Sequence, residues 1–162
     1  MSEIDKVHLA AGDRPFGCQT FYGYFTQVWI GRLRLHVFIK ADPGEAMHDH
    51  PWSFVSLPFV SYVEEYLHGG EIKRQVIPML RLNRKPATHA HRYLGRWSGR
   101  VNWKGEPSVE PGAVITLCWR GKGGRAWRYW RQHRGVMRSH PWRTYLRQVG
   151  QRASKHDAGF HS

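Results

Sequence analysis

Apolar and polar residues alternate along much of the chain, with the two-residue period that is typical of a β-strand. In the clearest case, Leu33, Leu35, Val37 and Ile39 occupy every second position. The positions beside them are mostly polar: Arg32, Arg34, His36, Phe38 and Lys40. This segment is predicted to be a half-buried strand with a polar second face.

Further short segments are rich in the aromatic and β-branched residues that favour strands. These predicted strands cover residues 21–30, 52–57, 60–67, 72–82, 88–94, 113–119 and 126–131. Turn-forming residues separate many of them, and only residues 142–148 approach a helical period. Many short strands between turns predict an all-β barrel or sandwich. We predict an N-terminal arm over residues 1–19, one domain over residues 20–149, and a flexible tail over residues 150–162.

Composition and charge narrow the class of protein. A length of 162 residues fits one domain with a real core, and 25 Lys plus Arg against 12 Asp plus Glu leave a net charge of +13. Such a charge attracts polyanions. No secretory signal or membrane-length apolar run is visible, and the two cysteines argue against a disulfide framework. We therefore expect a cytoplasmic protein that does not contact a membrane.

The candidate chemistry lies in two histidine segments. His48 and His50 are two residues apart, so on a strand both side chains point to one face and can reach a single metal ion. His89 and His91 lie about forty residues downstream, where a barrel can bring them beside the first pair. A carboxylate would complete a ligand set, and alternation lets either Glu64 or Glu65 face the interior. We favour Glu64.

Residues 44–50 and 86–91 resemble the two metal-binding motifs of the cupin superfamily. Gly44 followed by His48-Asp49-His50 is similar to the start of the first motif, and Pro86 to His91 is similar to the second, with Thr88 where glycine is usual. The chain also resembles small uncharacterised phage and bacterial cupin-like proteins. The resemblance implies a double-stranded β-helix with a metal inside one end of the barrel, and it makes His91 the third histidine ligand.

The sequence departs from the cupin pattern where the motif's glutamate is usual, because Phe54 and Val55 stand near that position. The carboxylate ligand must then be Glu64 or Glu65, or be absent. Imidazole and carboxylate ligands with open positions suit a divalent metal ion: Fe(II) is favoured, and Mn, Ni or Zn are alternatives. Candidate pocket residues are Trp52, Tyr62, Tyr66 and Arg92, with Tyr62 and Arg92 as catalytic candidates and Arg92 as an anchor for an anionic substrate.

The C-terminal third is basic and aromatic. Residues 119–147 contain nine Lys or Arg residues and no acidic residue, interleaved with Trp and Tyr. Charge beside flat rings is what single-stranded nucleic acid grooves use. The candidate contacts are Arg125, Arg128, Trp130 and Arg131. The alternative is that the rings pack the core while the arginines face solvent.

Two functions therefore stand as hypotheses. The first is a metal-binding cupin-like protein. It is expected to be a metalloenzyme of the non-haem Fe(II) oxygenase type that acts on a small or anionic substrate. The second is a basic, non-catalytic β-barrel module that binds nucleic acid. A homodimer is compatible with both.

Overall fold

The computed structural model describes residues 15–21, 25–42, 46–123 and 128–141. Within these ranges the chain is all-β, as predicted, and contains no helix. The thirteen strands are β1 (Phe16–Phe21), β2 (Phe25–Ile30), β3 (Leu33–Phe38), β4 (Met47–His48), β5 (Trp52–Pro58), β6 (Tyr62–His68), β7 (Glu71–Ile77), β8 (Asn83–Lys85), β9 (His91–Val101), β10 (Pro107–Glu110), β11 (Val114–Gly123), β12 (Arg128–His133) and β13 (Val136–Pro141).

The strands form two antiparallel sheets. One has the order β1-β2-β3-β11-β5-β8, and the other has the order β13-β12-β4-β9-β6-β7, with β10 paired to β9. Successive strands from β3 to β6 alternate between the two sheets, so the chain winds round a shared interior. The central strands thus follow the order of a double-stranded β-helix, which confirms the predicted fold class.

The hydrophobic core lies between the sheets. Tyr62, Ile77, Tyr93 and Val114 form a buried cluster, and Phe38 packs against it. The Phe38 ring on β3 lies 4.7 Å from the Tyr93 ring on β9, centroid to centroid, so this contact joins the two sheets.

The interior face of β3 is the polar one, which differs from the most direct interpretation of its sequence. Arg34 is 5 % exposed, whereas Leu33 and Leu35 are each 37 % exposed. Arg34, His36 and Phe38 share the face that turns toward the other sheet, because the Phe38 ring meets Tyr93 there. A two-residue period shows which side chains share a face, but not which face is covered.

The outer face of the six-stranded sheet is consequently apolar. Cross-strand partners on this face include Leu33 opposite both Ile30 and Trp119, and Val28 opposite Leu35. These side chains are all at least one-third exposed. The homodimer expected from the sequence stays a prediction.

Several sequence expectations concern strand limits or undescribed residues. Strand β1 begins at Phe16, inside the region predicted as an arm, while β4, β8, β10 and β13 were not predicted. The predicted tail over residues 150–162 and the helical turn over residues 142–148 lie outside the described residues. Among the described residues, no helix has the length and apolar character that crossing a membrane requires.

Candidate metal centre

Three of the predicted ligands come together at one end of the interior. His48, His50 and His91 each offer a ring nitrogen, and these nitrogens all lie within 4.8 Å of one another. The centroids of the three rings are 5.0 to 5.2 Å apart. Zinc–imidazole bonds measure about 2.0–2.1 Å, so one ion placed between the rings can reach all three nitrogens.

Strand pairing and one buried carboxylate position the histidines. His48 on β4 is the direct cross-strand partner of His91 on β9. His50 follows β4 in a loop rather than on a strand, and its backbone N–H donates to the Ala87 carbonyl at 3.3 Å. Between them, the fully buried Asp49 accepts a hydrogen bond of 2.8 Å from the Arg128 backbone N–H. His48 and His50 thus do not share one strand, which was the geometry considered for their spacing, yet the loop brings both rings together.

The environment keeps the three imidazoles neutral, which is the form that binds a metal. Burial, followed by the neighbouring charge of His48, places the pKa of His50 well below its usual value. Burial and the charge of Lys85 have the same effect on the pKa of His91. Burial also lowers the pKa of His48, although the carboxylate of Asp42 acts in the opposite direction.

A backbone carbonyl orients the His91 ring, and the Asp42 carboxylate lies near the His48 ring. The Nδ1 atom of His91 lies 3.3 Å from the His89 backbone carbonyl, which can only accept a hydrogen bond. When Nδ1 donates that bond, the lone pair of Nε2 is free for a metal. The Oδ2 atom of Asp42 lies 3.8 Å from Nδ1 of His48 and also accepts the Tyr93 backbone N–H at 2.8 Å.

Glu64, the glutamate that the sequence analysis favoured, faces the interior, but it has partners other than the three-histidine group. Its carboxylate forms a buried ion pair with Lys85 and accepts a 2.7 Å hydrogen bond from the side chain of Gln75. It also lies 3.5 Å from Nε2 of His89. Although burial alone would raise the pKa of Glu64, Lys85 and the hydrogen bonds lower it, so the carboxylate is ionised.

Glu65 and Arg92 pair with each other on the opposite side of β6. The Glu65 carboxylate accepts a 2.6 Å hydrogen bond from Nε of Arg92 and a 2.7 Å bond from Arg74. Glu65 is 6 % exposed, so both neighbouring glutamates are buried, each with its own cation. The guanidinium that the sequence suggested as a substrate anchor is therefore engaged by a carboxylate.

The two tyrosine candidates lie in different surroundings. Tyr62 belongs to the hydrophobic core, where its ring lies 5.7 Å from that of Tyr93. Burial raises the pKa of Tyr62 well above its usual value. Tyr66 stacks on the ring of His89 at 5.6 Å, and His89 in turn lies 5.2 Å from His91. Of the two tyrosines, Tyr66 is therefore the one that lies near the three-histidine group.

On the other flank, the interior holds two arginines that the sequence analysis left out of the site. Arg34 on β3 and Arg120 on β11 both place their guanidinium carbons near the Trp52 ring, at 5.9 and 4.7 Å from its centroid. The Trp52 ring lies 6.2 Å from that of His50. The sequence does contain a signal for these arginines, because Arg34 shares a strand face with His36. The signal was missed because the leucines on the other face of β3 were expected to face the core.

The predicted nucleic acid contacts lie on or near β12. Arg128 is exposed, whereas Arg131 and Trp130 are half-buried. The Trp130 indole N–H donates to the buried Asp49 at 3.4 Å, so this ring also supports the metal-site loop. Arg125 lies outside the described residues. Binding of nucleic acid by this strand stays a prediction.

Comparison with known proteins yields likenesses of fold only. No protein-family model and no curated protein matches the chain. Among solved structures, hydroxypropylphosphonic acid epoxidase from S. wedmorenis matches with a TM-score of 0.47 and 8 % identity. The match covers 67 % of this chain and 58 % of the epoxidase chain, so it spans less than two thirds of that protein.

Two other solved structures show the same general likeness. The Drosophila melanogaster CENP-C cupin domain matches with a TM-score of 0.46 and 11 % identity, covering 75 % of this chain and all of that domain. The capsular polysaccharide assembling protein CapF from Staphylococcus aureus matches with a TM-score of 0.43 and 14 % identity, covering 67 % and 31 % of the two chains. The strand order identifies a cupin-like fold, and identities this low carry no function across.

Proposed function

We propose that the protein is a metal-dependent enzyme whose divalent ion is held by His48, His50 and His91. The observation that carries the proposal is the mutual approach of one ring nitrogen from each histidine to within 4.8 Å. Burial supports it, because it lowers the pKa of all three side chains and leaves the imidazoles neutral. Each neutral imidazole carries one nitrogen lone pair, and a divalent ion between the rings can accept all three.

The proposed ligand set consists of three histidines without a carboxylate. Glu64 forms its ion pair with Lys85 and its hydrogen bond with Gln75, and both would be lost if it turned to a metal. Breaking a buried ion pair leaves an uncompensated charge and costs several kcal/mol, on the order of 3–5 kcal/mol. We therefore assign Glu64 to the support of the site and not to the metal.

Three protein ligands leave coordination positions open, and a bound divalent ion there would supply Lewis-acid chemistry or, as Fe(II), oxidation by O₂. We favour Fe(II), with Mn, Ni or Zn as the alternatives. The chain's own residues would bind the ion and orient its histidine ligands. The His89 carbonyl orients the His91 ring, and the Asp42 carboxylate lies 3.8 Å from Nδ1 of His48. Trp52 and Phe54 border His50. The substrate of this proposal is a small molecule that fits between the sheets.

The metal content of untagged protein tests the proposal. We expect close to one divalent ion per chain in the wild type, and almost none in His48→Ala or His91→Ala. His133→Ala is the matched control, because this histidine is exposed on β12 and lies outside the three-histidine group. Iron in the wild type supports the Fe(II) assignment, while zinc or manganese would contradict that assignment alone. A wild type that stays metal-free after incubation with Fe(II), Mn(II) and Zn(II) would overturn the proposal.

A further inference from the structure

Two arginines near the three-histidine group, the buried Arg34 and the half-buried Arg120, have no carboxylate partner among the described residues. Arg34 is 5 % exposed, and its only side-chain hydrogen bond in the described structure runs from Nη1 to Oε1 of Gln27 at 3.3 Å. Within the described ranges, neither Arg34 nor Arg120 has an Asp or Glu oxygen within ion-pair distance. In folded proteins, an arginine buried as deeply as Arg34 normally has a carboxylate partner.

The two guanidinium groups also face each other's charge. The positive charge of Arg120 adds to burial in lowering the pKa of Arg34 to about 10. Both groups lie over the single ring of Trp52, and Arg34 also lies 5.5 Å from the Trp29 ring centroid. Stacking on aromatic rings compensates only part of the cost of burying two like charges. Among the described residues, no carboxylate therefore balances these two positive charges.

Unused hydrogen-bond donors mark the same place. The Nε atoms of Arg34 and Arg120 are buried and have no hydrogen-bond partner among the described residues, and the same holds for Nε2 of His36. His36 shares the interior face of β3 with Arg34, and its Nδ1 lies 3.5 Å from Sγ of Cys118. Buried guanidinium donors are normally satisfied, so the two unpartnered Nε–H groups indicate a ligand with several acceptor atoms. Nε2 of His36 is a further unpartnered polar atom on the same interior face.

The position relative to the histidines indicates what the ligand does. The centroid of the Trp52 ring lies 5.9 and 4.7 Å from the guanidinium carbons of Arg34 and Arg120, and 6.2 Å from the centroid of the His50 ring. Arg120 is also the cross-strand partner of Phe54, whose ring lies 4.9 Å from that of His50. A molecule of a few bonds can thus reach both the arginines and the three-histidine group.

We propose that Arg34 and Arg120 form a subsite for a phosphate-type dianion, the charged end of a small substrate whose other end reaches the three-histidine group. Two guanidinium groups match two negative charges, and their planar forks suit the oxygens of a phosphoryl or phosphonyl group. Trp52 is a positioning residue that holds both arginines. The inference rests on the proposed metal centre for the role of the substrate's other end, but the anion subsite itself requires no metal.

Calorimetric titration of inorganic phosphate into the chelator-treated full-length protein, at mildly alkaline pH, tests the subsite. Arg34→Gln and Arg120→Gln should each weaken phosphate binding by about tenfold or more, because each removes a charged, bidentate donor. Arg100→Gln is the control, since it removes the same charge from an exposed position on β9 and should change the affinity less than about twofold. Acetate should bind at least about tenfold more weakly than phosphate.

Absence of phosphate binding, or equal binding by the wild type and both arginine variants, would overturn the proposal. Equal affinity for acetate and phosphate would contradict the assignment to a dianion. If Arg34→Gln does not fold, Arg120→Gln at its half-buried position still tests the subsite. Two further measurements separate this proposal from the metal centre. His48→Ala should lose metal and keep phosphate binding, whereas Arg34→Gln should lose phosphate binding and keep its metal.

Discussion

At the scale of single residues, the interior carries more charge than a structural core tolerates without compensation. Glu64 and Lys85 satisfy each other, and Glu65 is held between Arg74 and Arg92. Arg34 has no such partner among the described residues. A buried charged side chain without a partner of opposite charge indicates a candidate ligand-binding site.

Substitution of Arg34 by methionine should stabilise the protein. The change removes a buried guanidinium that has no carboxylate partner, while methionine retains most of the side-chain volume. We expect the free energy of unfolding to rise by about 1 kcal/mol, equivalent to about 2–4 °C in Tm for a chain of this size. Urea unfolding of the ligand-free protein measures it. A loss of more than about 1 kcal/mol would mean that Arg34 is a structural residue.

The Glu64–Lys85 pair should behave in the opposite way. Lys85→Met leaves the Glu64 carboxylate buried without its cation, and we expect it to cost about 3–5 kcal/mol of unfolding free energy. Adding Glu64→Gln removes the stranded charge and should restore a large part of that loss. A double-mutant cycle by urea unfolding gives the coupling, and strictly additive effects would contradict a direct pair.

At the scale of secondary-structure elements, the site depends on how the loop after β4 is tied to β12. Asp49 accepts hydrogen bonds from the Arg128 backbone and from the Trp130 indole, so it anchors the segment between His48 and His50. The sequence analysis predicted the two histidines but not this support. An aspartate between two histidines has no distinctive spacing, and its partner lies 79 residues away.

Substitution of Asp49 by alanine should therefore weaken metal binding without removing a ligand. The variant leaves buried donors unsatisfied, and we expect it to cost about 1–3 kcal/mol of stability. Loosening of the loop should lower metal affinity by roughly 10- to 100-fold, as for other groups that orient ligands. Asp49→Asn retains one acceptor oxygen and should lie between the wild type and Asp49→Ala. Metal competition with a chelator measures the affinity, and unchanged values in Asp49→Ala would contradict this role.

Much at the element scale follows from sequence, and the exceptions have physical reasons. Alternation predicts β3 and shows that Glu64 and Glu65 lie on opposite faces of β6, because a two-residue period needs only local information. It does not decide that Arg34 and His36 face inward while Leu33 and Leu35 face outward. That choice depends on the position of the other sheet. The two-residue strand β4 is too short to show a pattern.

At the scale of the whole molecule, the +13 charge has a local counterpart inside the fold. The sequence analysis assigned the basic character mainly to the C-terminal third and suggested Arg92 as an anion anchor. In the structure, Arg92 forms an ion pair with Glu65. Arg34 and Arg120, which are far apart in sequence, both lie near the Trp52 ring. The resemblance in sequence predicted the approach of His91 to His48, whereas the arginine pair required the sheet topology.

Several buried neutral histidines make global stability depend on pH. Burial, with the charge of Arg34, lowers the pKa of His36 to about 3, and the pKa values of His50 and His91 are also lowered by burial. In the unfolded chain, histidine titrates near 6.5. Below that pH the unfolded state takes up protons that the folded state does not, so stability is lost as the pH falls.

We expect unfolding free energy, measured in chelator, to fall below about pH 6.5 by about 1.4 kcal/mol per pH unit for each such histidine. His36→Gln should reduce that slope by one histidine's share. A stability that is flat between pH 7 and about 5 would contradict burial of neutral imidazoles in the folded state.

The central claim is that His48, His50 and His91 hold one metal ion. Anomalous X-ray diffraction from crystals grown with the protein's own metal tests it most directly. The account predicts one anomalous peak at about 2.0–2.2 Å from a ring nitrogen of each of the three histidines, with Glu64 still paired to Lys85. A peak coordinated by Glu64 or His89 instead, or no peak between the three rings in metal-supplemented crystals, would contradict it.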